Sequence, residues 1–273
     1  MKIQTINTNN KYSFQARRKE IRKADDIVRK VNQEFPAFSP TYAYEFWPHL
    51  KTIPEGYGDI RTINSEEKVR KYRKEIDQNK NYDTLLETIK EQKVANCGEK
   101  SYLTVAALLA NGYDKFTKRF NVGIKWAVTD KRTGEKVFEH IEDFDHSIIV
   151  TTMTNEEPAR LNDLIVIDGW LNKAMSFSEA HATYEAMLKE DFLTETYEKS
   201  VLKFIKKNTK DYGLLGKKLP PDFDINNYKF KHNIVFYKPQ DTRYPIKGND
   251  FDKLTNKVKE KYPNLVFEEN KNI

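Results

Sequence analysis

A single cysteine, Cys97, stands in 273 residues, so the chain has no internal partner for a disulfide. An intramolecular disulfide framework, a cysteine-rich zinc site and an iron–sulfur cluster are excluded with it. Glycine is scarce at 10 residues, and neither a P-loop nor a G-x-G-x-x-G run is present. The usual phosphate cradles of a nucleotide cofactor are therefore missing, and no cofactor or metal is expected. No apolar run approaches the roughly 18 residues of a membrane-spanning helix, so no membrane span is expected. The N-terminal MKIQTINTNNKYSF has no apolar stretch of the secretory kind, so no signal peptide is expected. A soluble protein is expected, either cytoplasmic or exported by a system that needs no signal peptide.

Aromatic material is plentiful. Sixteen Phe, fifteen Tyr and three Trp exclude global disorder, because they supply a core. The net charge is +6, with the excess in Lys rather than Arg. Lys is a solvated point charge, which weakens any case for bidentate reading of phosphates or bases. Residues 15–34 place Ile21, Ala24, Ile27, Val28 and Val31 at helical spacing, with a basic opposite face in which Glu20, Asp25, Asp26 and Glu34 interleave. That mixture predicts a solvated face on a docked helix. Two more charged helices are expected, from Ser65 to about Lys80 and from Asp83 to about Gln92. An aromatic loop holding Tyr42, Tyr44, Phe46 and Trp47 lies before them.

The middle of the chain changes character. Residues 98–110, GEKSYLTVAALLA, are apolar almost all round, which predicts a buried helix that stops at Asn111-Gly112. Strands are expected at 122–129, 136–139, 146–153 and 164–170, with an acidic loop between the second and third. A helix from about 178 to 192 follows, capped by Ser176 or Ser178. A Lys-rich helix at 194–207, a Gly/Pro loop at 213–221, a strand at 228–238 and a helix at 249–261 complete the pattern. The expected fold class is α+β, with residues 1–80 a helical N-terminal accessory region and 81–273 the α+β domain that holds the candidate site residues.

Cys97 sits at the start of the buried helix. A helix start carries unpaired N–H groups and a partial positive charge, which together stabilise a thiolate and favour an oxyanion at the Cys97 N–H. By position alone, a lone cysteine is more often a small buried hydrophobe. Two later residues shift that balance. His146 opens the strand HSIIVTTM, and Asp168 closes LIVID before Gly169 and Trp170. On neighbouring strands the two meet: the carboxylate orients an imidazole that takes the thiol proton and returns it to a leaving group. Asp145 is the rival acid, disfavoured because adjacent strand residues point to opposite faces.

The run Asn96-Cys97-Gly98-Glu99, then His146-Ser-Ile-Ile-Val, then Val166-Ile-Asp168-Gly-Trp170 resembles the papain-like/transglutaminase-like thiol enzyme superfamily. It is most similar to a branch found among secreted bacterial effectors, several of them proteases, glutamine deamidases or acyl-transferring enzymes. The resemblance covers roughly residues 85–190. It implies a papain-like core, a Cys97–His146–Asp168 triad, a protein substrate and a thioester intermediate. It also implies an oxyanion donor upstream of the nucleophile, for which Gln92 and Asn96 are the candidates. Trp170 is a candidate shield for the His–Asp pair, or a core residue. Two departures stand out: the residues after Cys97 lack the second Cys and the Trp of papain proper, and the third member is Asp rather than Asn.

A reading of another class competes. The charge and the basic N-terminal helix also suit a non-catalytic binding module docking on an anionic partner. No basic-plus-aromatic motif supports nucleic acid as that partner. His140, Glu142, Asp143 and Asp145 do not have a metal-ligand spacing, and His181 falls inside a predicted helix, where packing or solvent suits it better.

Overall fold

A computed structural model describes residues 11–37, 39, 59–79, 84–113, 117–152, 161–189, 225–237 and 249–267. The elements are α1 (Lys11–Glu34), α2 (Asp59–Asn79), α3 (Leu85–Gln92), α4 (Cys97–Ala110), β1 (Lys118–Asp130), β2 (Lys136–Thr152), β3 (Leu164–Asp168), β4 (Lys173–Ser176), α5 (Phe177–Lys189), β5 (Tyr228–Tyr237) and α6 (Asn249–Lys261). All strand pairings are antiparallel, in one sheet of order β4-β3-β2-β1-β5. The chain is an α+β protein.

Strand alternation sorts the core into two layers. Ile149, Ile165 and Ile167 face a core shared with Ala24 and Ile27 of α1, Val69 of α2, Leu103 and Ala107 of α4, and Val258 of α6. Ile148, Val150 and Val166 face the other way, toward Trp126 and the α5 residues Ala180 and Tyr184. The sheet thus lies between α5 and the remaining helices. On α1 the apolar stripe is buried while Arg22 and Arg29 are exposed. None of the described helices is long and apolar enough to cross a membrane.

Helix α4 is the central element, and every residue in it except Lys100 is buried. An apolar surface on all sides has no water-facing stripe, so it must be enclosed. Its buried polar groups are matched. Glu99 is fully buried and accepts two hydrogen bonds from Arg73 of α2, at 2.7 and 2.8 Å. Ser101 donates to the Ser147 carbonyl at 3.0 Å and so pins α4 to β2. Gly112, at φ +84°, ends the helix in the left-handed region, and Asn111 donates to the carbonyls of Ala107 and Leu265.

Two expectations need correction. The acidic segment 140–145 is not a loop, because β2 runs unbroken from Lys136 to Thr152. Its apolar residues Ile141 and Phe144 stand three positions apart, so no strand alternation marks them. Pairing with β1 nonetheless carries through, and a register shift between Val122 and Gly123 absorbs two extra residues just before His146. The expected strand at 164–170 ends instead at Asp168, and a four-residue turn leads into the short strand β4. Ser176 rather than Ser178 caps α5, accepting the Glu179 N–H at 3.2 Å. The aromatic loop at 42–47, the helix at 194–207 and the loop at 213–221 lie outside the described residues.

Arg73→Ala leaves the Glu99 carboxylate buried without its guanidinium. Breaking a buried pair costs about 3–5 kcal/mol. Arg73 is 24% exposed, and the expected loss is discounted for that solvent access to about 2 kcal/mol. Urea unfolding should show a lower midpoint at unchanged slope; an unchanged midpoint would mean that α4 does not rely on this pair.

Candidate active site

The local sequence sets the start of α4. Lys93, at φ 54°, turns the chain out of α3, and Asn96 is extended at φ −88° and ψ −176°. Asn96 and Glu99 form a capping box: the Asn96 side chain takes the Glu99 N–H, and Glu99 Oε2 accepts the Asn96 N–H at 2.9 Å. The Lys100 N–H bonds the Asn96 carbonyl at 2.9 Å. The first-turn donors outside the box are therefore the N–H groups of Cys97 and Gly98, at the mouth of the helix where positive potential is greatest.

His146 approaches from the sheet. On β2 it shares a face with Ile148 and Val150, and on β3 Asp168 shares that face with Val166, so both project toward α5. His146 Nε2 and Asp168 Oδ2 are 2.8 Å apart, with the two side chains 1% and 0% exposed. Three further donors hold the carboxylate. Tyr184 of α5 donates its hydroxyl to Oδ2 at 2.5 Å, and the Trp170 and Leu171 N–H groups donate to Oδ1 at 2.7 and 3.1 Å. Trp170 then folds back and stacks on the His146 ring, with centroids 4.3 Å apart and planes at 27°. Cys97 packs against the same Trp170 that stacks on His146, and its sulfur helps raise the imidazole pKa. Because Asp168 holds Nε2, Nδ1 is the ring nitrogen that remains. Met187 of α5 packs against Cys97 and Trp170 as well.

The electrostatics follow from this enclosure. Burial alone would drive His146 toward the neutral form, but the Asp168 charge, its hydrogen bond and the Cys97 sulfur overcome that and raise its pKa to about 10. The ring is therefore cationic at neutral pH. Burial likewise works against ionised Asp168, and the His146 charge and hydrogen bonds from His146 and Tyr184 bring its pKa below the ordinary value. Burial, reinforced by the Asp168 charge, lifts Tyr184 well above the ordinary phenol range, so it stays a neutral donor.

The structure thus brings Cys97, His146, Asp168 and Trp170 together. Asn96 is buried beside them, its side-chain oxygen engaged at the cap and by Ser39 Oγ at 3.3 Å, whereas Gln92 is exposed at the end of α3. His181 is part-exposed on α5, 3.8 Å from Glu185. The side chains of His140, Glu142, Asp143 and Asp145 lie outside the described residues. Among the described residues, no three His, Cys, Asp or Glu side chains gather in a way that would hold a metal ion. Tyr184 was missed by the sequence reading. Its signal was present: a Tyr on the buried stripe of an amphipathic helix needs a polar partner for its hydroxyl.

No protein-family model matches this chain, and neither a curated protein nor a solved structure does.

The raised His146 pKa means that its pairing stabilises the fold fully below about pH 6.5 and is lost progressively as pH rises through about 10. The lowered Asp168 pKa contributes fully above 3.8 and is lost as pH falls through its folded value. Thermal unfolding should therefore show a stability plateau between about pH 4 and 6.5 with an alkaline decline. Asp168→Asn should flatten that decline, and an identical slope in both proteins would refute the pairing.

Tyr184→Phe removes one hydrogen bond to a buried carboxylate and should cost about 1.5–3 kcal/mol by denaturant unfolding at pH 6. No change in midpoint would mean that Tyr184 is only packed against Asp168.

Proposed function

We propose that the protein is a thiol enzyme acting on protein amides, with Cys97 as nucleophile, His146 as general base and acid, and Asp168 as the orienting acid. One observation carries this reading: a thiol at a helix start packs against the tryptophan that stacks on an imidazole, and that imidazole is bonded at 2.8 Å to a buried carboxylate. A buried small hydrophobe needs none of these partners. The arrangement also supports the papain-like/transglutaminase-like superfamily, since a nucleophile helix precedes an antiparallel sheet that supplies the base and the acid.

The chemistry follows the charges. The Cys97 proton passes to His146, and thiolate and imidazolium form as a pair. The thiolate attacks the amide carbon, a C–S bond forms, and the carbonyl oxygen takes the negative charge facing the Cys97 and Gly98 N–H groups. Collapse of this adduct breaks the C–N bond as His146 gives its proton to the leaving nitrogen. A thioester remains on Cys97. Neutral His146 next takes a proton from water, or from an attacking amine, and the thiolate leaves to regenerate the starting pair. Water at this second step gives proteolysis or deamidation, and an amine gives transfer. Asp168 keeps the ring from rotating, and Trp170 covers it against solvent.

Alkylation tests the reading without a substrate. Iodoacetamide should modify Cys97 in the folded protein at mildly acidic pH, well above the rate of a model thiol. His146→Ala should push the pH profile upward, to that of an ordinary thiol. Asp168→Asn should leave the sulfur reactive while slowing turnover of an amide substrate by about 10⁴-fold, the size of effect found where an imidazole loses its orienting acid. A wild-type profile like that of a free thiol, unchanged in His146→Ala, would overturn the proposal.

A further inference from the structure

Lys100 is the one residue of α4 that is not buried, and it follows Cys97 by three positions. Side chains at i and i+3 share a helix face, with Cβ atoms about 5–6 Å apart. The ammonium therefore leaves α4 on the same side as the thiol. Its Nζ donates to Asn32 Oδ1 at 3.1 Å. Asn32 is held in turn, because its amide donates to the Gly169 carbonyl and to Asn172 Oδ1, both at 3.0 Å. Lys100 forms no ion pair among the described residues. Asp168 acts on it through space only, since that carboxylate is already occupied by four donors.

A cavity of about 380 Å³ opens at this point. Trp170, Pro36 and Ala37 supply its apolar lining, and Lys100, Asn32 and Asn172 its polar lining. Trp170 belongs to two places at once, stacking on His146 and lining the cavity. The cavity is thus a neighbour of the reacting groups, one helical turn from the sulfur.

Building on the amide-cleaving function above, we propose that this cavity is a specificity subsite for the carboxylate of an acidic side chain adjacent to the reacting amide, paired with the Lys100 ammonium. The spacing suits an adjacent residue: three helical positions advance about 4.5 Å, and one extended peptide residue spans about 3.3–3.6 Å. Lys100 has three donors and spends one on Asn32, so donors remain for a carboxylate. Burial lowers its pKa to about 8 against the opposing pull of Asp168, so most of it is still charged at pH 7. An ammonium drawn partly out of water attracts a carboxylate more strongly than a solvated one does. The apolar wall takes the methylenes. A neutral side chain in the same place leaves the ammonium without a counter-charge, and that penalty is the source of discrimination.

Affinity labelling tests the subsite separately from the thiol chemistry. The probes are the α-amides of N-iodoacetyl-glutamic acid and of N-iodoacetyl-glutamine, which differ only as carboxylate and carboxamide. N-Iodoacetyl-glycine carries its carboxylate on the main chain, and iodoacetamide supplies the reference rate. The glutamic probe should label Cys97 about tenfold faster than the glutamine probe, with saturation. The ratio should fall to about one in Lys100→Gln and persist in Lys100→Arg. Equal rates for the two probes in the wild type would overturn the subsite, as would a ratio that survives Lys100→Gln. A fastest reaction with N-iodoacetyl-glycine would overturn the side-chain assignment. In each case rapid labelling by iodoacetamide would leave the thiol enzyme standing. Iodoacetamide labelling no faster than a model thiol would overturn that enzyme and the subsite with it. Should Lys100→Gln fail to fold, the wild-type ratio decides alone: about ten supports the subsite, and about one overturns it.

Discussion

Asp168 carries a negative charge with no access to water, and the organisation of the site follows from satisfying it. A buried carboxylate is tolerated only with a full set of donors, because desolvation otherwise forces it to take up a proton. Here the donors come from three places: an imidazole on β2, a phenol on α5, and two backbone N–H groups in the turn after β3. Each donor fixes one element. The register of β2 against β3, the approach of α5 and the shape of the β3–β4 turn all converge on two oxygens. Trp170 lies over His146 because its own backbone N–H is bound to the carboxylate that the imidazole also meets. The stacking is thus a result of the turn.

A second constraint acts on α4. A helix buried on nearly every side gains hydrophobic stabilisation along its length, yet its first turn holds N–H groups that burial would leave without partners. The sequence answers with Asn96 and Glu99, which satisfy each other's backbone, and with Arg73, which neutralises Glu99. That solution consumes the donors of the cap and of the third position, and places Cys97 and Gly98 between them in the first turn. The stability of the helix and the polarity of the site thus come from the same few residues.

Much of this was legible in the sequence, for physical reasons that can be named. Cys97 was marked by the helix start behind it, and His146 and Asp168 by the ends of strongly apolar strands, where a polar residue needs a partner. The first helix was legible because Ile21, Ala24, Ile27, Val28 and Val31 repeat with the helical period, and the helix at 97–110, expected at 98–110, because it is apolar almost all round and stops at Asn111-Gly112. The acidic half of β2 was not, since pairing with β1 over many residues overrides a local pattern that reads as a loop. Strand β4 was missed for a similar reason: four residues are too few to show alternation. Asn32 and Lys100 were illegible because their contacts reach segments 137 and 68 positions away in the chain, whereas Tyr184 carried a signal in its buried hydroxyl.

Those long-range contacts say how the first helix bears on the site. The basic outer face of α1 is what the sequence displays most clearly, but its inner face reaches the β3–β4 turn. Asp25 Oδ1 accepts the Ala174 N–H at 2.8 Å, and Asn32 holds the Gly169 carbonyl on the other side of the turn. Between these two points lie Trp170 and Asn172, the latter left-handed at φ 53°. A non-glycine residue in that region persists only where surrounding bonds over-determine it. Gly169 adds a steric requirement, since a Cβ there would meet the Lys100 Cβ at 3.0 Å. Helix, turn and α4 are thus fitted at a scale of tenths of an ångström. A shift of α1 would move the turn, and the turn carries both the tryptophan over His146 and the N–H groups that hold Asp168. The placement of the imidazole beside Cys97 therefore depends on a helix that begins 86 residues before the sulfur.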